Sequence, residues 1–112
     1  MKTIPLTDTS LKAEVSRTNW GEYSTDTLLF FCPICEGHYH LIPFEMGVST
    51  QGEYPNQRNR WGHSSGSTIQ DLTLTPSYLA VSSRSQDKEC RLHIFVRGGV
   101  MQILKDSALK CL

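Results

Sequence analysis

Apolar residues in this chain occur in short runs of strand length, and no segment keeps a helical period. One run covers residues 28–32, and another covers Tyr39–Phe44. Two more flank the pair Gly98 and Gly99, a dipeptide typical of tight hairpin turns because glycine readily adopts positive φ. The sequence therefore predicts a small, mainly β fold with little helix, and the best candidate for a helix is the short tail after Leu104.

The chain has 112 residues, which is the size of one domain. Residues 1–10 are polar and contain Pro5, so we expect a flexible N-terminal arm there. Residues 11–112 are expected to form a single β-rich domain. Within that domain, residues 46–70 hold glycines among Ser, Thr, Asn and Gln, which predicts a long irregular loop.

Charge and apolar patterning argue against several classes of protein. Lys and Arg total 11, as do Asp and Glu, and this balance argues against a broad basic surface for nucleic acid or membrane. The longest apolar run is far below the roughly 20 residues of a membrane helix, and no apolar signal region follows the N-terminus. We therefore expect a cytoplasmic protein with no membrane partner. In a reducing compartment, cysteines are more often metal ligands than disulfides.

The sharpest local motif is Cys32-Pro33-Ile34-Cys35. Two cysteines at this spacing can direct both sulfur atoms at one ion and so supply half of a tetrahedral zinc site. Cys90 and His93 are also three residues apart, which makes a C-x-x-C…C-x-x-H set for Zn²⁺. The alternate ligands are His38, His40 and Cys111.

Other interpretations of the same residues stay open. Cys32 and Cys35 also fit a redox pair, although no helix is expected after them to lower a thiol pKa. Cys90 also fits a small buried apolar residue. His93 alternates with apolar neighbours, so its side chain also fits a solvated position on a strand.

Arg58, Arg60 and Trp61 form the one basic cluster that includes an aromatic residue. Guanidinium and indole groups in a long loop suit the recognition of a partner, so we predict a partner-binding surface there. Stacking on nucleic-acid bases is an alternative. A polar loop whose tryptophan docks onto the core is another.

No motif of an enzyme is present in the sequence. There is no H-E-x-x-H zinc site, G-x-S-x-G nucleophile turn, phosphate-binding loop or dinucleotide fingerprint. Thr75-Pro76-Ser77 is interpreted as a kink in a strand, with hydroxyls that satisfy nearby backbone groups. The sequence therefore favours a role without catalysis.

Four blocks in order resemble a family of small CPxC proteins from phages and bacteria, a domain of unknown function designated DUF6527 and sometimes labelled ammonia monooxygenase. The resemblance covers roughly residues 28–106 and rests on the segments 30–35, Trp61, 72–79 and 93–104. It implies that Cys32 and Cys35 are ligands, and more weakly that His93 is one. It also implies a phage or mobile-element setting and, through relatives encoded beside ubiquitin-like conjugation genes, an adaptor role.

These observations predict a zinc-binding, zinc-stabilised module that binds protein and is encoded by a phage or mobile element. Its expected partner is a host or phage protein in the host cytoplasm, such as a defence component that it inhibits or redirects. One alternative is an adaptor in a bacterial ubiquitin-like conjugation system. Another is a zinc protein that binds nucleic acid.

Overall fold

The computed structural model describes residues 2–20, 23–53, 59–85 and 88–111. These residues form β-strands and no helix, so they include no helix long and apolar enough to cross a membrane. The predicted β-rich fold class is confirmed. The strands are β1 (Lys2–Pro5), β2 (Glu14–Trp20), β3 (Tyr23–Phe31), β4 (Tyr39–Phe44), β5 (Gly52–Glu53), β6 (Asn59–Arg60), β7 (Gly62–Ser65), β8 (Thr73–Ser85), β9 (Lys88–Arg97), β10 (Val100–Ile103) and β11 (Ala108–Cys111).

The larger sheet has six strands, and each is antiparallel to its neighbours. Its order is β1-β10-β9-β8-β7, and β11 pairs with β9 beyond the end of β10. One edge of β9 is therefore covered by β10 and β11, and its other edge by β8.

The smaller sheet has the order β2-β3-β4 and is also antiparallel. β5 and β6 form a separate two-stranded ribbon. These two strands and β7 lie within residues 46–70, so the described part of the predicted irregular loop contains short strands.

The two sheets share one apolar core. Residues alternate between buried and half-buried along β9, where Leu92 and Ile94 are buried and the intervening His93 is not. The alternation arises because successive side chains of a strand point to opposite faces of the sheet. The other buried residues of the core are Leu6, Leu11, Leu28, Phe30, Ile42, Phe44, Leu72, Leu74, Val96, Met101 and Ile103.

The hairpin predicted at Gly98 and Gly99 is confirmed, because β9 and β10 pair across it with Arg97 opposite Val100. Both glycines have positive φ, 56° and 76°. A Cβ atom on Gly99 would lie 2.2 Å from the carbonyl oxygen of Gln70, so a larger residue would force the backbone apart.

Both ends of the described chain differ from the sequence expectation. Residues 2–5 of the expected arm form β1 against β10, and Leu6 is fully buried. The tail after Leu104 forms β11, with Ala108 opposite Arg91, where a short helix was the candidate. The pairing partners of these segments are far along the chain, so local composition does not reveal them.

Candidate metal centre and candidate catalytic triad

Three cysteines and one histidine meet where the smaller sheet contacts β9. The thiols of Cys32, Cys35 and Cys90 and a ring nitrogen of His38 all lie within 4.8 Å of one another. The Sγ atoms of Cys32 and Cys90 are 3.6 Å apart, and Sγ of Cys35 is 3.0 Å from Nδ1 of His38. Cys32, Cys35 and His38 lie in a tight turn after β3, whereas Cys90 is distant in sequence and lies in β9.

The turn between β3 and β4 brings Cys32, Cys35 and His38 together. Cys32 follows β3, and its N–H donates to the carbonyl of His38 at 2.8 Å, which closes the turn. The N–H of Glu36 donates to the carbonyl of Cys32 at 3.2 Å, and Glu36 has a positive φ of 53°. These bonds reverse the chain so that Cys35 and His38 face the thiol of Cys32.

This donor set fits a tetrahedral metal ion. Zinc–thiolate bonds of about 2.3 Å in a tetrahedron place two sulfur atoms about 3.8 Å apart. The observed Cys32–Cys90 separation of 3.6 Å is close to that value. Since both of these cysteines are buried, the four residues can hold an ion shielded from solvent.

The predicted ligands Cys32, Cys35 and Cys90 all lie in the cluster, and its fourth member is the alternate His38. His93 is not part of this cluster. Residues three apart in a strand point to opposite faces of the sheet, so the spacing that suggested a Cys90–His93 pair separates their side chains.

The other two alternates have different surroundings. His40 is buried, its ring stacks on Phe30 with 5.2 Å between centroids, and its Nδ1 is 3.0 Å from the hydroxyl of Tyr78. Burial and, secondly, the nearby Cys32 raise the pKa of Tyr78 to about 12, so its hydroxyl stays protonated beside the His40 ring. Cys111 ends β11, and its side chain lies outside the described residues.

The Cys90 thiol is held in its protonated form when no metal is bound. Burial first, and then hydrogen bonds with Cys32 and Cys35, raise its pKa to about 12. Redox-active cysteines have lowered pKa values, so Cys90 does not have that character. Binding of a metal ion to this thiolate releases a proton.

A second polar cluster lies on the outer face of the larger sheet. Nδ1 of His93 donates to the Asp106 carboxylate, 3.1 and 3.2 Å from its two oxygens. Nε2 of the same ring lies 3.1 Å from the hydroxyl oxygen of Ser77. The bond to Asp106 assigns the ring proton to Nδ1, which leaves the Nε2 lone pair facing the Ser77 hydroxyl. This is the connectivity of a serine nucleophile, its base and the acid that orients the base.

Each member of this triad is placed by a different part of the sheet. The register of β8 against β9 shifts before Tyr78, so residues 75–77 lie opposite the single residue Phe95. The cis Thr75–Pro76 peptide bond lies within this bulge. The bulge presents Ser77 to the outer face of the sheet. His93 occupies an outward position of β9, and Asp106 lies in the turn between β10 and β11.

The triad is open to solvent. Ser77 is half-buried, and the side chains of His93 and Asp106 are 25% and 45% exposed. All three residues of the cluster are therefore partly exposed on the outer face of the larger sheet.

The Asp106 carboxylate is kept ionised by its neighbours. The hydrogen bond from His93 is the largest influence on its pKa and lowers it. Partial desolvation opposes this, and hydrogen bonds from Arg91 add to it. Nε and Nη2 of Arg91 both donate to one carboxylate oxygen, at 3.3 and 3.2 Å. Arg91 thus orients the Asp106 carboxylate, which in turn orients the His93 ring.

Replacement of Asp106 by Asn is expected to weaken the pH dependence of stability in acid. A carboxylate with a lowered folded-state pKa contributes stability above its unfolded pKa, and this contribution is lost as pH falls through the folded value. Melting temperatures of wild type and Asp106→Asn should therefore differ near neutrality and converge below about pH 4. A gap that stays constant into strong acid would contradict the ion pair.

Two further side chains hold the backbone of the nucleophile and the base. The Ser107 hydroxyl accepts from the N–H of His93 at 2.9 Å and donates to its carbonyl at 3.0 Å. Nε1 of Trp61 donates to the carbonyl of Ser77 at 3.2 Å, and the indole packs on Tyr78. The hydrogen bonds that both residues make here go to backbone groups, so we interpret both as positioning residues.

We expect Ser107→Ala to lower kcat about tenfold and stability by about 1 kcal/mol, because two hydrogen bonds to the backbone of His93 are lost. Steady-state kinetics on an activated ester and thermal melts measure the two effects. Ser83→Ala is the matched control, since Ser83 is exposed on the same sheet. A kcat that stays at the wild-type value while the melting temperature falls would show that Ser107 stabilises the fold alone.

The predicted partner-binding residues have mixed placements. Arg58 lies outside the described residues. Arg60 is half-buried, and its Nη2 lies 3.5 Å from the carbonyl of Thr50. Trp61 is half-buried and supports Ser77 and Tyr78, in the manner of the docked tryptophan that was one of the alternatives. Recognition of a partner by these residues stays a prediction.

The sequence alone does not predict the triad. Its local patterns indicate a strand kink at Ser77 and a zinc ligand at His93. Two sequence signals point towards it. His93 takes an outward position in an alternating strand, and Pro76 interrupts another strand just before Ser77. Neither signal selects Asp106, which depends on the turn before β11.

A serine, a histidine and an aspartate joined in this way have the connectivity that is found in serine hydrolases. Residues 5–104 match the family BubE, described as a bacterial ubiquitination-like system serine protease, and the chain belongs to this family. The comparison with curated proteins gave no match, and neither did the comparison with solved structures.

This family assignment corrects the sequence-based resemblance. The chain was expected to resemble the DUF6527 family, whereas the family that matches is BubE. The resemblance rested on short blocks separated by long intervals, which is weak support for a family. The match links the chain to a bacterial ubiquitination-like system, the setting of the alternative hypothesis, and it does not support a phage origin or a role against host defence.

Proposed function

We propose that this protein is a serine protease that acts within a bacterial ubiquitination-like system, where it hydrolyses the peptide or isopeptide bond that joins a ubiquitin-like protein to its substrate. The observation that carries the proposal is the Ser77–His93–Asp106 chain of hydrogen bonds. The family description supports it independently. The expected partner is therefore the ubiquitin-like protein on the acyl side of the bond.

Each group of the triad has a defined role in this reaction. Nε2 of His93 takes the proton of the Ser77 hydroxyl as Oγ bonds to the carbonyl carbon of the substrate. The same proton then passes to the leaving nitrogen, the C–N bond breaks, and an ester to Ser77 remains. Water attacks that ester, gives one proton to His93, and releases the acid as Ser77 regains its proton.

Asp106 stabilises the imidazolium that forms at each proton transfer and holds its Nδ1–H in place. Its lowered pKa keeps the carboxylate charged throughout the physiological range. Arg91 fixes the carboxylate from the other side, at 3.2 Å.

We also propose that the ion held by Cys32, Cys35, His38 and Cys90 is Zn²⁺. Three thiolates and one imidazole are a common donor set of structural zinc sites, in which all four positions belong to the protein. When bound, the ion supplies a cross-link between β9 and the turn before β4. Since His93 is also on β9, this link steadies the strand that carries the base.

Labelling with an alkyl fluorophosphonate tests the catalytic proposal. This reagent forms a covalent bond to a serine oxygen that is activated by a neighbouring base. We expect one label per chain on Ser77, located by peptide mass spectrometry, and none in His93→Ala. Ser83→Ala is the matched control and should label like wild type. A folded wild-type protein that takes no label would contradict the proposal and favour a conjugation adaptor without catalysis.

A further inference from the structure

One edge of β8 is open directly beyond the nucleophile. β8 runs over Thr73–Ser85 and pairs with β9 along its length. On its other edge β7 pairs only with residues 73–75. From Ser77 onward, no strand among the described residues covers this second edge.

The hydrogen bonds of His93 show which groups point to the open edge. Its N–H donates to Ser107, and its carbonyl accepts from Leu104, so both groups point away from β8. In an antiparallel pair, the residue opposite such a position also turns its own groups outward. Leu79 is that residue, and by alternation Val81 follows it. The N–H and C=O groups of Leu79 and Val81 therefore face the open edge.

The carbonyl of Ser77 faces the same edge. It accepts a hydrogen bond from Trp61, which lies on the side of β8 opposite to β9. The nucleophile is thus the first residue in a row of edge-facing positions that continues through Leu79 and Val81.

The edge is uncharged and carries two exposed apolar side chains. Residues 77–83 include no charged side chain. Leu79 and Val81 are 46% and 48% exposed, on the face that carries the triad. Exposed strand edges are usually protected by charged residues or proline, because unpaired backbone groups pair readily with another chain. This edge lacks that protection at the point where a substrate must bind.

We infer that the substrate adds to the open edge of β8 as an extended strand, with its acyl-side segment hydrogen-bonded to the backbone of Leu79 and Val81. The inference rests on the proposed function, because its occupant is the chain that ends at the bond attacked by Ser77. The acyl side is chosen because it is polypeptide even when the leaving group is a lysine side chain. Strand addition is a recurrent mode of peptide recognition, in which backbone bonds provide affinity and alternate side chains provide specificity.

The geometry also sets the length and character of the segment. Ser77 and Val81 are four residues apart, which is about 13 Å at 3.3 Å per residue. A segment of about four residues before the scissile bond is therefore needed to reach Val81. Its side chains on the triad face lie beside Leu79 and Val81, so apolar residues are favoured there.

Ester hydrolysis on two substrates tests the inference. One substrate is p-nitrophenyl acetate, which requires the triad but cannot reach Val81. The other is the p-nitrophenyl ester of acetylated Thr-Val-Thr-Ala. We expect kcat/KM to be about tenfold or more higher for the peptide ester, since two main-chain hydrogen bonds are added. Val81→Pro removes the edge-facing N–H, a change that edge strands tolerate, and should remove the gain while acetate hydrolysis is kept.

Two controls make the result specific to strand addition. Val81→Ala keeps the N–H and should keep most of the gain. N-methyl groups can be placed on the two Thr nitrogens of the peptide ester, or on its Val and Ala nitrogens. These two sets test, without changing the protein, whether alternate N–H groups of the substrate face the edge of β8. Only one of the two sets faces the edge, so only one should abolish the gain.

The outcomes separate this inference from the proposed function. Absence of both acetate hydrolysis and fluorophosphonate labelling would overturn the proposed function. Normal acetate hydrolysis, with a peptide gain that is absent or unaffected by Val81→Pro and by both N-methyl sets, would overturn strand addition alone. A dimer in sedimentation velocity that Val81→Pro dissociates would assign the edge to a second copy of the chain, and would also overturn it.

Discussion

Ser77→Ala is expected to leave the fold intact and to lower the rate of ester and peptide hydrolysis by about 10⁴-fold or more. The change removes the atom that forms the bond to the substrate. The lost hydroxyl is half-buried and bonds to one ring nitrogen of His93, so little stability depends on it. Stopped-flow or steady-state assays on the p-nitrophenyl esters, together with a thermal melt, measure both quantities.

The same experiment can refute the triad. Ser83→Ala should retain the wild-type rate, because Ser83 is six residues further along β8 and exposed. If Ser77→Ala kept the wild-type rate in a folded protein, the hydrogen bond between Ser77 and His93 would be structural and the nucleophile would be another group.

Cys32→Ser is expected to lose the metal ion and with it the native fold. Binding energies of structural zinc sites, about 10–16 kcal/mol in small peptides, are comparable to the whole stability of a small domain. Cys32 is fully buried at the junction of the two sheets, so a movement of surface side chains cannot replace its thiolate. Elemental mass spectrometry should find about one zinc per wild-type chain and none in the variant, and circular dichroism should report unfolding.

Two histidine variants distinguish the ligand set. His38→Ala should lower the affinity for the ion, because His38 contributes Nδ1 within the cluster. His93→Ala should keep the ion and lose hydrolysis, since the His93 ring bonds to Ser77 and Asp106. The opposite pattern, with zinc lost in His93→Ala and retained in His38→Ala, would restore the set predicted from sequence. Cys111→Ser should keep the ion.

Much of the β architecture could be predicted, because its signals are local. The alternation of β9 and the glycine pair after it depend on neighbouring residues, and the structure confirms that hairpin. β1 and β11 were missed because each is a short segment whose strand character comes from a partner: Lys2 pairs with Ile103, and Ala108 pairs with Arg91.

The candidate metal site also has a part that local sequence signals predict and a part that they do not. Cys32 and Cys35 are recognisable because their spacing itself creates a binding geometry in one turn. The choice of His38 over His93 is different, since it depends on which face of a strand each ring occupies and on how the turn before β4 closes onto Cys32.

Side-chain alternation, glycine conformation and a short motif act over a few residues, so the fold class, the confirmed hairpin and the local half of the cysteine cluster could be predicted from the sequence. The contact of Cys90 with Cys32 and the meeting of Ser77, His93 and Asp106 depend on long-range packing. Those contacts join residues that are far apart in the chain. Their geometry is set by a bulge in β8, by the outward face of β9 and by the pairing of β11. The residues next to Ser77, His93 and Asp106 in the sequence do not reveal these three features.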